Sequence, residues 1–128
     1  MFMTRSEQRE KLVKALYTIN MTGNPDMDDF TDEMVDLIED VKTKMDDLDR
    51  IISENLINWT IDRLNYVDKA IIRFAVYEMM YRDIPAEIAI DEALNLTKKY
   101  SNLDDDKARK FNNKLLDTIK KNLEGKRR

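Results

Sequence analysis

Glycine and proline occur only four times in 128 residues, as Gly23, Pro25, Pro85 and Gly125. These are the residues that break helices and shape tight turns, so their scarcity predicts a mostly helical chain. No alternating apolar run is long enough for a sheet. Apolar residues instead recur in steps of three and four, the spacing of one helix face. Leu, Ile, Val and Phe make up about a quarter of the chain, enough for a core. The length suits one folding unit with two lobes, 1–57 and 58–128.

The first helix is predicted from Arg5 to Asn20, with Thr4 and Glu7 in capping-box spacing. Leu12, Leu16 and Ile19 form its stripe, with Val13 alongside. Arg5 and Arg9 fall on the same azimuth one and two turns earlier, so they either project beyond the bundle or rim a groove. Thr22-Gly23-Asn24-Pro25 reads as a turn. Phe30, Met34, Leu37, Val41, Met45, Leu48, Ile52 and Leu56 then predict one long helix from Asp28 to Ile57. A short helix follows from Asn58-Trp59-Thr60 to Leu64, with Trp59 as an anchor between lobes. Val67 to Tyr81 is apolar on nearly every side, as a central helix must be. Another helix runs from the Asp83-Ile84-Pro85 connection to Tyr100. A last one starts at Asp104-Asp105-Asp106 and is expected to end at Gly125.

The chain has no Cys and no His. That removes disulfides, thiolate zinc sites, cysteine nucleophiles and the commonest general base. Glu87, Asp91 and Glu92, like Asp104 to Asp106, read as charge at helix starts rather than as metal or acid–base groups. There is no Gly-rich phosphate loop. The expectation is a protein that binds and does not catalyse, with no metal and no cofactor. No apolar stretch could span a membrane and no secretory leader is visible, which predicts a cytoplasmic protein.

The formal charge of −4 conceals a division: Met21 to Asp62 holds 13 acidic and 3 basic residues, and the rest of the chain carries a positive excess. A basic surface can hold phosphate on an acidic protein because screening keeps the attraction local. On the last helix Lys107, Lys110, Lys114 and Lys121 fall within about 60° of one another, about 120° from the apolar arc. Such a stripe could follow a phosphate backbone or simply be a solvated face. Tyr17, Tyr66, Tyr77, Tyr81 and Tyr100 are candidates for base stacking or for boundary packing. Tyr77 reads as core, and Tyr17 is open. The residues alone lead to a helical binding module with basic arms, its ligand undetermined.

Several segments in order resemble the NusB family of transcription antitermination factors. They are Arg5-x-x-x-Arg9 leading to Ala15-Leu16-Tyr17, and Trp59-x-x-x-Arg63-Leu64-x-x-Val67-Asp68-x-x-Ile71-x-Arg73-x-Ala75-x-Tyr77-Glu78. Ile84-Pro85, Ile90-Asp91-Glu92-Ala93 and Leu96-Thr97-Lys98-Lys99-Tyr100 follow, then Lys110-Phe111-x-Asn113 with Leu116-Asp117 behind it. The likeness covers about two thirds of the chain.

The resemblance implies an all-α fold of two small helical bundles packed crosswise. It implies binding of boxA-type single-stranded RNA together with the ribosomal protein NusE, in a transcription elongation complex that makes ribosomal RNA. It assigns Arg5, Arg9 and Tyr17 to RNA, and Asp68 to the partner surface. Lys107, Lys110, Asn113 and Lys114 complete the expected RNA set, with the lysine stripe and Arg5/Arg9 forming one path. Three departures stand out. Ser6 and Glu7 interrupt the usual Arg-dense start. Phe111-Asn112-Asn113-Lys114 replaces the usual Phe-Val-Asn-Gly. Met21 to Phe30 is short for the family's small second helix. Some family members dimerise over the RNA surface, so a homodimer is possible. A protein-only adaptor that keeps NusE and has lost RNA is the alternative. A helper lobe of an RNA methyltransferase is a third reading.

Overall fold

The computed structural model describes residues 3–101 and 106–126. Five α-helices and one 3-10 turn make up the fold: α1 (Arg5–Met21), α2 (Asp32–Asn55), the turn Ile61–Arg63, α3 (Tyr66–Tyr81), α4 (Ala86–Tyr100) and α5 (Lys107–Lys126). Among the described residues there is no strand.

Side-chain caps fix three helix starts. The oxygens of Thr4, Thr31 and Asn65 accept from the backbone N–H of Glu7, Met34 and Asp68, at 3.0, 3.2 and 2.7 Å. Each such cap contributes about 1 kcal/mol by satisfying an otherwise orphaned donor. Thr31 also explains why α2 begins four residues later than the periodicity suggests. Before it, Asp26 accepts from the Asp28 N–H, and the Met27 carbonyl accepts from the Phe30 N–H, so this segment is a turn. After α1, Gly23 takes φ +88 and its N–H bonds the Thr18 carbonyl, a conformation that needs glycine. The predicted helix at Trp59 is only the 3-10 turn, and Trp59 and Thr60 stay outside it. Gly125 does not stop α5, which continues to Lys126. The expected start at Asp104 and Asp105 lies outside the described residues.

The central helix of the fold is α3. Every residue from Ala70 to Met79 is buried, and the other four helices all pack on it. They supply Leu12 and Leu16 from α1, Ile38, Val41, Leu48 and Ile52 from α2, Ala89 and Ala93 from α4, and Leu116 and Ile119 from α5. Each large apolar side chain buried in this way stabilises the fold by about 1.5–3 kcal/mol. Polar links fix the register. Arg73 makes a two-point pair with Asp49 at 2.7 and 2.8 Å, and the Tyr77 hydroxyl donates to Asp40 at 2.5 Å. Burial and the Asp40 carboxylate together hold the Tyr77 phenol far above its usual range. No helix among the described residues is long and apolar enough to cross a membrane.

Candidate nucleic-acid interface

The two ends of α3 treat charge differently. Near its C-terminal end, Arg9 is buried, and its Nε and Nη2 donate to the two Glu78 oxygens at 2.7 and 2.8 Å. Its Nη1 lies 3.7 Å from Glu92, which also accepts from Ser6. The Glu78 bond raises the Arg9 pKa further still. This guanidinium is used inside the fold. Arg5, one turn earlier, is exposed and lines a polar pocket with Gln8, Arg9, Glu33, Arg82 and Asp83.

Near the N-terminal end of α3 lies a second buried polar network, centred on Asp68. Its Oδ1 accepts from Ser101 Oγ at 2.7 Å and from Asn112 Nδ2 at 3.1 Å. The same Asn112 amide donates to Thr97 Oγ1, whose own proton goes to the Ala93 carbonyl. Asp68 is therefore a tie between α3, α4 and α5, and it does not face outward. The tie also has a consequence for the surface. Tyr100 adjoins Ser101 and Asn113 adjoins Asn112, so the end of α4 and the start of α5 meet at the start of α3.

Around that meeting point the surface is basic and aromatic. Six aromatic side chains are exposed among the described residues, and five of them lie here: Tyr17, Trp59, Tyr66, Tyr100 and Phe111. Trp59 meets Phe111 edge-on, with ring centroids 6.2 Å apart. Cations lie over the rings: Arg63 over Trp59 at 4.7 Å, Lys69 over Tyr66 at 5.0 Å, and both Lys14 and Lys99 over Tyr100 at 5.3 Å. Lys107, Lys110, Asn113 and Lys114 are exposed on α5, and the three lysines make no ion pair with any described residue. Lys121, further along the same stripe, is paired with Asp117.

Tyr17 stands at the mouth of a groove of about 420 Å³ floored by Val13, Val67, Ala70, Ile71 and Leu96. Tyr100, Lys14, Glu10 and Thr18 line it as well. Lys99 donates to both Glu10 oxygens at 2.7 and 3.1 Å, and this bond holds the Glu10 carboxyl below its usual range.

The expected RNA set is thus divided. Tyr17, Lys107, Lys110, Asn113 and Lys114 gather around the start of α3. Arg5 and Arg9 lie toward its other end, about 15 Å away over the ten residues from Asp68 to Glu78. The two groups do not adjoin as one path. Sequence reasoning missed Lys14 and Lys99. Their signal was their spacing from Tyr17 and Tyr100 along two basic helix segments.

Fold and surface together define a helical binding module with an exposed basic and aromatic face. The NusB family model matches residues 29–121. The transcription antitermination protein NusB of Bacillus subtilis is 39% identical over 132 residues, covering 95% of this chain and 98% of the relative. NusB of T. maritima superposes with a TM-score of 0.80 at 28% identity, covering 94% of this chain and 93% of that one. A crystal structure of the antitermination factors NusB and NusE in complex with dsRNA matches with a TM-score of 0.75 at 25% identity, covering 94% and 99%. The chain belongs to the NusB family. That family consists of transcription antitermination proteins, which are not enzymes.

Proposed function

We propose that this chain binds boxA-type single-stranded RNA together with NusE and supports ribosomal RNA transcription within an elongation complex in the cytoplasm. The observation that carries this reading is the set of exposed lysines Lys107, Lys110 and Lys114, which make no ion pair with any described residue, beside exposed aromatic rings at the start of α3. Lysines neutralise phosphates without regard to sequence, and aromatic faces accept unstacked bases, which duplexes do not offer. Tyr17 and Asn113 belong to the same face, to which both 1–57 and 58–128 contribute. Arg5 is a second, outlying contact. Arg9 and Asp68 act by holding the helices that carry the face, and Asp68 reaches NusE only through that positioning.

The test is fluorescence anisotropy with boxA-type single-stranded RNA, with and without NusE, over a range of salt. The affinity should rise with NusE and fall, for each tenfold rise in salt, by about 0.7 logarithmic units per phosphate neutralised. Salt-insensitive binding, or equal binding to duplex DNA, overturns the proposal. The exposed acids Asp36, Glu39, Asp46, Asp47 and Glu54 on α2 favour a second reading, a protein-only adaptor. NusE binding with no RNA affinity at any salt would select it.

A further inference from the structure

We propose that Asn112 is the positioning residue of the lysine stripe: it fixes how the first two turns of α5 are rotated about the helix axis, and so where Lys107, Lys110 and Lys114 point. The inference rests on the RNA-binding reading above and adds a residue that acts on it without touching RNA. Three observations carry the argument.

The first is where α5 is anchored. Its buried apolar side chains among the described residues are Leu115, Leu116 and Ile119, all C-terminal to Lys114. From Lys107 to Lys114 only Asn112 is buried. Ala108 and Arg109 are half-buried, and Phe111 meets Trp59 edge-on yet stays 38% exposed. The half of α5 that carries the three lysines is therefore held chiefly by a polar side chain.

The second is direction. At about 100° per residue, Asn112 lies about 170° from the centre of the Lys107, Lys110 and Lys114 stripe. The anchor stands behind the cations, so a rotation of the helix at Asn112 turns the stripe by the same angle.

The third is bonding. Asn112 Nδ2 spends its two protons on Asp68 Oδ1 and Thr97 Oγ1, each at 3.1 Å. Its Oδ1 has no partner among the described residues, so the donors alone hold the side chain. Turning the amide over would set Oδ1 against the Asp68 carboxylate. Both acceptors are themselves oriented: Ser101 donates to Asp68 at 2.7 Å, and Thr97 gives its own proton to the Ala93 carbonyl at 2.8 Å. One acceptor belongs to α3 and the other to α4, so the amide meets both in a single rotation of α5. Apolar contacts tolerate repacking, whereas a buried amide with fixed partners sets a register. Without these bonds the lysines stay exposed but spread over a range of azimuths, and fewer of them meet phosphates at once. A binding site whose support is loose loses affinity even when every contacting group is present.

The experiment uses the full chain and a boxA-type single-stranded RNA oligonucleotide. Anisotropy titrations over a range of salt are run at a temperature where circular dichroism shows each variant folded. Asn112→Val keeps a compact side chain and loses both bonds. It should bind about tenfold more weakly, with a salt slope lower by about 0.7 for each lysine that no longer meets a phosphate, although no charge has been removed. Thr97→Val takes away one acceptor while keeping the shape, and should weaken binding in the same direction by about threefold. Asn112→Asp sets two carboxylates against each other and should bind worst. Combining it with Asp68→Asn restores one amide facing one carboxylate and the original net charge. That swapped pair should return affinity and slope close to wild type. Amide residual dipolar couplings, recorded without RNA, read the orientation itself. In Asn112→Val they should change at Lys107 to Lys114 and hold at Leu115 to Glu124.

Wild-type affinity and slope in folded Asn112→Val and Thr97→Val, unchanged couplings at Lys107 to Lys114, or a swapped pair no better than Asn112→Asp each overturns the positioning role. Should Asn112→Val not fold, Thr97→Val and the swapped pair decide. If the wild type binds no RNA, the functional proposal fails and takes the RNA effect with it, while the couplings still decide whether Asn112 orients α5.

Discussion

The two ends of α3 carry similar residues to opposite effect. At the C-terminal end a guanidinium meets a carboxylate inside the fold, and Arg9 and Glu78 satisfy each other. At the N-terminal end the carboxylate of Asp68 is satisfied by neutral donors, Ser101 and Asn112. Nearby, Lys99 is held by Glu10, whereas Lys107, Lys110 and Lys114 make no ion pair with any described residue. A cation in sequence says little about binding until its partner is known. A buried pair is architecture, and an exposed cation beside an aromatic ring is free to meet phosphate.

The comparison can be broken most forcefully at the Arg9–Glu78 pair. Glu78→Ala leaves a buried guanidinium without its main partner and should destabilise the protein by about 3–5 kcal/mol in urea unfolding. A loss under about 1 kcal/mol would mean that Arg9 swings out to solvent and is available after all. Next comes Asp68→Ala, which removes the acceptor for two buried donors and should cost about 1.5–3 kcal/mol by the same measurement. If its stability matched wild type while NusE binding fell, Asp68 would be a direct contact.

The opposite signature is expected at α5. Lys110→Gln/Lys114→Gln should leave stability within about 0.5 kcal/mol of wild type. It should weaken RNA binding across all sequences and reduce the salt slope by about 1.4, or about 0.7 for each phosphate that is no longer neutralised. An unchanged slope in anisotropy titrations would make these lysines a solvated face. The smallest effect belongs to Arg5→Gln. Arg5 shares its pocket with Glu33, Glu78 and Asp83, so the slope should change by less than one phosphate's worth. A larger drop would move the binding face toward the other end of α3.

The helices were legible because their apolar spacing and their caps agree. Val67 to Tyr81 needed only its composition, since a helix apolar all round has to be central. Boundaries were harder, because a cap such as Thr31 competes with a periodicity that extends past it. The candidate site was legible in part. Lys107, Lys110 and Lys114 share an azimuth, and an azimuth follows from sequence spacing alone. The role of Arg9 does not, because it depends on Glu78, 69 residues away. The one hint was a carboxylate near the end of a helix that is apolar on nearly every side. Asn112 and Asn113 show the same limit at close range. A rotation of about 100° puts the first inside, against Asp68, and the second outside.

The central claim is that RNA is held at the start of α3. Backbone amide NMR shifts, recorded with and without boxA-type single-stranded RNA, test it most directly. The account predicts that the largest changes fall at Lys14 to Thr18, Tyr66, Lys99 to Ser101 and Lys107 to Lys114, with small ones at Arg5 to Arg9. Changes concentrated at Arg5 to Arg9 and Arg82 to Ile84, with α5 silent, would contradict it.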